Sequence, residues 1–166
     1  MRWKTTVVLL TATIGIGAYL SLYEIRQPSV EERERLSKQV VRLRSDEVTQ
    51  LALDLPQAKR TLTRSGAAWT ISPQGVRADP ARMGRLLSEL DPLTATRTLS
   101  PSSGTPLDLK ALGLDPPVGW MSAIARGKPT TLRFGDTTAL GGNRYLNISD
   151  RPEVFIVSAA LFDEAN

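Results

Sequence analysis

The chain contains neither histidine nor cysteine, and only three Trp, three Tyr and three Phe among its 166 residues. Without histidine there is no side chain that titrates unaided near neutrality, and without cysteine there is no thiolate nucleophile, disulfide or lipidated tether. Zinc and haem sites built on imidazole or thiolate are excluded with them. Any chemistry left would have to use carboxylates, hydroxyls, Lys or Arg. A chain of this length supplies one core, since domains run to ~100–200 residues.

Charge is close to balanced, with 21 Lys and Arg against 17 Asp and Glu. Arg2 and Lys4 flank an apolar run, and setting them aside leaves 19 basic to 17 acidic residues. Nucleic-acid affinity is built from clustered phosphate-neutralising charge, so a nucleic-acid partner is not expected. One local excess remains. Between Lys59 and Arg97, the basic residues Lys59, Arg60, Arg64, Arg77, Arg82, Arg85 and Arg97 face only Asp79, Glu89 and Asp91. The plain reading is a solvated face. The sharper one is a surface turned toward anionic headgroups or an acidic partner, with Arg64, Arg77, Arg82, Arg85 and Arg97 as its contacts.

After the basic flank at residues 1–4, residues 5–23 form 19 positions without a charge, rich in Val, Leu, Ile, Ala and Gly. At about 1.5 Å per residue such a helix covers ~28 Å, close to the hydrocarbon thickness of a bilayer. The run is longer than the ~7–15 residue core of a cleaved signal, and no Ala-x-Ala site closes it. It is expected to be an uncleaved single transmembrane helix. Thr11, Gly15 and Ala18 place small residues where a second helix could approach, as membrane helices do when lipid provides no hydrophobic drive. The positive charges of Arg2 and Lys4 abut the span directly, which favours an inside amino terminus and a domain on the outer side.

Residues 24–39 read as a charged stalk: VEERERLSK at 30–38 puts Glu31 and Arg35, and Glu34 and Lys38, at i, i+4. From residue 40 to 166 the pattern is that of a separate folded domain. Val41 and Leu43 alternate with Arg42 and Arg44; Leu51, Leu53 and Leu55 alternate with Ala52 and Asp54. Together with residues 59–64 and Trp69 to Ile71, these predict a meander of four antiparallel strands joined by tight turns. Asp79 followed by Pro80 starts a helix whose apolar face is Met83, Leu86, Leu87 and Leu90.

Beyond it the pattern predicts a strand at 94–99, a short helical turn at 107–112 and strands at 119–126, 130–135, 144–148 and 153–157. A closing helix follows at 158–164. The predicted architecture is α+β: two antiparallel meanders around one packed amphipathic helix. Trp69, Trp120, Phe134, Tyr145 and Phe155 are expected as core anchors.

The order of these signals resembles a known family. Trp69-Thr70-Ile71, Ala78-Asp79-Pro80 with its leucine helix, LDLKALGL at 107–114 and Asp115-Pro116-Pro117 come first. Gly127, Leu132-Arg133-Phe134-Gly135, Asn143-Arg144-Tyr145 and Val154-Phe155-Ile156-Val157 follow. The whole resembles the bacterial domain of unknown function DUF4340 over roughly residues 40–163, a family in which an amino-terminal span is usual. The resemblance implies an auxiliary role in the cell envelope, since family members are often encoded beside ABC transporters of the gliding-motility type. It carries no catalytic or cofactor residues to this chain.

Spacings that would signal chemistry are absent from the sequence: no Gly-x-Ser-x-Gly, no Ser-x-x-Lys, no phosphate-binding loop and no dinucleotide fingerprint. Gly141-Gly142-Asn143 reads as a hairpin turn rather than a phosphate cradle, and Asn147-Ile148-Ser149 matches a glycosylation acceptor within a predicted strand. Catalytic, metal and cofactor residues are therefore not expected. The reading that follows is a non-enzymatic, single-pass accessory subunit that contacts the bilayer and the larger subunits of a membrane complex, either an ABC-type exporter or a respiratory or photosynthetic assembly. The alternative is a membrane-tethered periplasmic module that binds a glycan, lipid or peptide in a cleft lined by the basic segment.

Overall fold

In the computed structural model, residues 38–41, 43–102 and 106–166 are described. The expected span at 5–23, with Thr11, Gly15 and Ala18, and residues 24–37 of the expected stalk lie outside them. Among the described residues no helix is long and apolar enough to cross a membrane.

Period-two alternation generates most of the chain's regular structure. The strands are β1 (Gln39–Val41), β2 (Val48–Leu55), β3 (Ala58–Ser65), β4 (Ala68–Ser72) and β5 (Val76–Arg77). After α1 (Pro80–Leu90) come β6 (Leu93–Leu99), β7 (Gly119–Ala125), β8 (Lys128–Thr137), β9 (Asn143–Ile148) and β10 (Val154–Ser158), and then α2 (Ala160–Ala165). In β2, Leu51, Leu53 and Leu55 are buried at every second position. Val48 is buried three residues ahead of Leu51, because a bulge against β7 between Val48 and Gln50 resets the alternation.

The two meanders do not form separate layers. They fuse edge to edge, since β2 pairs with β7 along Val48↔Ala125 to Asp54↔Trp120. The result is one ten-stranded sheet in the order β1-β6-β10-β9-β8-β7-β2-β3-β4-β5, with every adjacent pair antiparallel. The first strand also departs from expectation: β1 leaves the meander and pairs with β6 through Gln39↔Thr94 and Val41↔Leu93. The residue buried on it is Val40 rather than Val41. A three-residue strand carries too little pattern to choose its neighbour, and the return of the chain after α1 brings β6 to it.

The turns follow their residue chemistry. Between β7 and β8, Arg126 and Gly127 both adopt positive φ, as a two-residue hairpin of the primed type requires. Lys128 and Pro129, expected in that turn, begin β8 instead. Residues 107–112 form hydrogen-bonded turns rather than a helix: the Asp108 carboxylate accepts from the backbone N–H groups of Lys110 and Ala111, both at 3.1 Å.

One contiguous core unites β-strands and both helices. Met83, Leu86 and Leu90 of α1 and Leu161, Phe162 and Ala165 of α2 join Leu51, Leu53, Leu132, Phe134 and Leu146 of the sheet. α1 starts where the sequence predicts, with the Asp79 side chain accepting from Ala81 N–H at 2.8 Å and Pro80 at its first position. Asp91 after its last turn accepts from the backbone N–H of Ser45 at 3.0 Å, which ties the helix end to the segment after β1. On α2, Phe162 meets Phe134 edge to face with ring centroids 5.3 Å apart, and Arg144 stacks its guanidinium 3.9 Å from the Phe162 ring centre.

Trp69, Phe134 and Phe155 are buried anchors. Trp120 and Tyr145 are only half-buried. On the opposite face of β8 the loop between β6 and β7 comes down onto Gly135, where Leu112 and Leu114 pack so closely that a Cβ would lie 2.3 Å from the Leu112 carbonyl oxygen.

Candidate functional site, an arginine-rimmed groove

The basic excess between Lys59 and Arg97 divides once the chain is folded. β3 presents Arg60 on the same face as Leu62 because the two are separated by one residue; Leu53 of β2 stands directly opposite Arg60. β5 carries Arg77 and leads through Ala78 and Asp79 into α1, whose first turns carry Arg82 and Met83. The end of α2 closes the side with Glu164 and Ala165. Between them lies a groove of ≈ 210 Å³, with Leu53, Leu62, Ile71, Ala78, Met83 and Leu86 as its apolar lining and Arg60, Arg77 and Arg82 as its cations.

The charges are unevenly matched. Arg85 Nε donates to both carboxylate oxygens of Glu164 at 3.1 Å, and Asp79 is engaged as the α1 cap. Among the described residues the side chains of Arg77 and Arg82 have no hydrogen-bond or ion-pair partner. Arg60 donates from Nη2 to the Ala165 carbonyl at 3.3 Å, at the negative end of α2, while its Nε is buried without a partner. Burial, followed by repulsion from Arg82, lowers the pKa of Arg60 below the ordinary arginine value. Guanidinium groups stay charged and offer fork-shaped donor pairs that match carboxylate and phosphate oxygens. Such an arrangement can hold an anion.

Of the five arginines predicted from sequence, Arg77 and Arg82 come together here, and Arg85 reaches the rim through Glu164. Arg64 does not join them. It lines a second hollow of ≈ 220 Å³ beyond Arg77, beside Trp69, Met83, Gly84 and Leu87. Its guanidinium is committed there to the backbone carbonyls of Asp46 at 2.8 Å, Gly66 at 3.2 Å and Ser45 at 3.4 Å. Arg97 stands exposed on β6 opposite Ile156 and lines neither hollow. Arg60 was not singled out by sequence reasoning, although its one-residue spacing from Leu62 on a predicted strand was the available signal. Its neighbour Lys59 points the other way and pairs with Asp54 at 3.2 Å.

The remaining polar candidates have structural employment. Glu47 pairs with Arg126 and Arg44, and Asp46 with Arg44. Among the described residues no three of His, Cys, Asp and Glu gather in a way that could hold a metal. Asn147 of the glycosylation triplet is 8% exposed, and its Nδ2 donates to the carbonyls of Arg151 and Glu153, both at 3.0 Å. A side chain held this way is not presented to a transferase.

No curated protein and no solved structure matches the chain. One family model does, from the start of β4 through α2, and it takes in α1, Arg77 and Arg82 while β3 with Arg60 precedes it. The chain belongs to the family described as Domain of unknown function (DUF4340), whose model matches residues 69–166.

Proposed function

We propose that this protein is a non-catalytic accessory subunit of a bacterial membrane complex, anchored by residues 5–23 and contacting its partners through the α1 face of the domain. The observation that carries the reading is the groove, where Arg77 and Arg82 stand without partners beside an apolar lining. That combination supports binding. Proteins keep few apolar hollows open at the surface without a use for them, and most sites of recognition join an apolar body to a few placed polar groups. The two carboxylates that line the groove are occupied, Asp79 in the α1 cap and Glu164 in its ion pair with Arg85. A location in the inner membrane with the domain in the periplasm is part of the proposal. It rests on the uncharged run at 5–23 and on Arg2 and Lys4 ahead of it.

The test is purification in mild detergent from the native host with a photo-crosslinker placed at position 82. The expected result is one larger membrane subunit, stoichiometric with this protein and crosslinked through that position. A protein that runs as a free monomer, with no crosslink formed in cells, overturns the reading. The same groove supports the alternative, a membrane-tethered periplasmic module that binds a glycan, lipid or peptide; a bound molecule of one of these classes detected by native mass spectrometry would favour it instead.

A further inference from the structure

The dimensions and charges of the groove narrow what it can accept. Its ≈ 210 Å³ lies below the ~300 Å³ at which sites for drug-sized molecules begin, and above the ~150 Å³ that holds a benzene ring in an apolar cavity. There is room for one side chain and a small polar head. Two acyl chains of a lipid do not fit. Arg60, Arg77 and Arg82 line the same small space as Leu62, Ile71 and Met83, while the two carboxylates on that lining, Asp79 and Glu164, are held by the α1 cap and by Arg85, so a fitting occupant carries its negative charge a few bonds from its apolar body.

We infer that the groove receives the carboxyl-terminal residue of a partner protein, with the terminal carboxylate held by Arg82 and Arg77 and an aliphatic side chain lying on Leu62, Ile71 and Met83. A chain terminus meets the requirement in a single residue, because carboxylate and side chain leave the same Cα. An internal acidic residue would need two neighbouring side chains to enter together. Terminal carboxylates are a recurrent handle in peptide recognition, and arginine binds them in two-pronged fashion. Arg60, half-buried on β3 and repelled by Arg82, adds a positive charge to the groove lining that an incoming anion offsets. The inference rests on the reading of the α1 face as a contact face and names the chemistry of that contact.

Full-length protein in detergent micelles is titrated into fluorescein-labelled pentapeptides ending in Leu, one with a free carboxylate and one amidated, and binding is followed by anisotropy. The free acid is expected to bind, and the amide to bind at least tenfold more weakly. Arg82→Gln and Arg77→Gln, both at exposed positions, are expected to cost the acid peptide about tenfold each while leaving the melting temperature unchanged. Added salt weakens the acid peptide and not the amide. Equal affinity for acid and amide, or an Arg82→Gln protein that binds as tightly as the native one, overturns the inference. So does capture of phosphatidylglycerol vesicles through Arg82 without peptide binding. If neither peptide binds while the crosslink from position 82 to a membrane subunit persists, the terminal-carboxylate chemistry is wrong and the accessory role stands; if both fail, both fall.

Discussion

Replacing Gly135 by alanine adds one methyl group at the most crowded glycine of the sheet. The new Cβ would stand 2.3 Å from the Leu112 carbonyl oxygen, 2.9 Å from Leu114 Cγ and 3.1 Å from Tyr145 Cβ, where ordinary contact begins at 3.4 Å. The loop must therefore retreat by about 1 Å, and its nearest atom is backbone, which cannot rotate away. That carbonyl also accepts from the N–H of Asp136 at 2.9 Å, and Leu114 is buried by the same contact. Overpacking costs ~1–3 kcal/mol and a weakened hydrogen bond ~0.5–1.5 kcal/mol. The reduced freedom of the unfolded chain returns ~0.4–1 kcal/mol. The net expectation is a loss of about 2–3 kcal/mol, or roughly 8–12 °C in Tm for a domain of this size.

Gly84 in α1 supplies the control. A Cβ there meets nothing within 4 Å, so Gly84→Ala should gain ~0.5–1 kcal/mol from helix propensity alone. Thermal unfolding followed by near-ultraviolet circular dichroism reads both, and the two identical chemical changes should move Tm in opposite directions. A Gly135→Ala protein within ~0.5 kcal/mol of the native one would refute the packing argument, whatever Gly84→Ala does.

Three further expectations can be measured in the same way. Asn147→Asp swaps a buried donor for an acceptor facing the carbonyls of Arg151 and Glu153, and should cost about 3 kcal/mol at neutral pH in a denaturant titration. Arg144 donates to the Gly135 carbonyl at 2.6 Å and stacks on Phe162, so Arg144→Met should cost ~2–4 kcal/mol. Arg144→Lys should recover little of it, because the planar stacking is lost. Leu140, 99% exposed at the tip of the β8–β9 hairpin, should tolerate serine within ~0.5 kcal/mol.

Much of the fold could be read from local pattern because the deciding forces are local. Asp79-Pro80 and the spacing of Met83, Leu86 and Leu90 contain their own start signal and period, and α1 lies where they say. Gly66, Gly127 and the Gly141-Gly142 pair carry the positive φ that their turns need, so the hairpins were legible too. The fusion of the two meanders was not. Leu51, Leu53 and Leu55 announce a strand with one buried face, yet the same alternation suits an edge strand or a central one, and only the partner at Trp120 to Ala125 decides.

The groove was half legible for a related reason. Composition located a surplus of arginine, while which of those side chains converge depends on strand parity for Arg60, on backbone carbonyls that claim Arg64, and on the end of α2 that reaches Arg85. The half-burial of Trp120 and Tyr145 shows the limit of residue type as a guide, since an aromatic on a strand can face either side.

The seam between β2 and β7 has a consequence for biosynthesis. β2 acquires its first neighbour, β3, at once, but its second is encoded 77 positions after Val48, at Ala125. At about 5–20 residues per second, roughly 4–15 s of translation separate the two. During that interval a nascent chain exposes the whole unpaired side of a strand holding Leu51, Leu53 and Leu55, a template to which other extended segments readily add. Slow, long-range zippering of this kind makes the newborn polypeptide a natural client for holding chaperones, and a ribosome stalled before position 119 would release a fragment prone to clump.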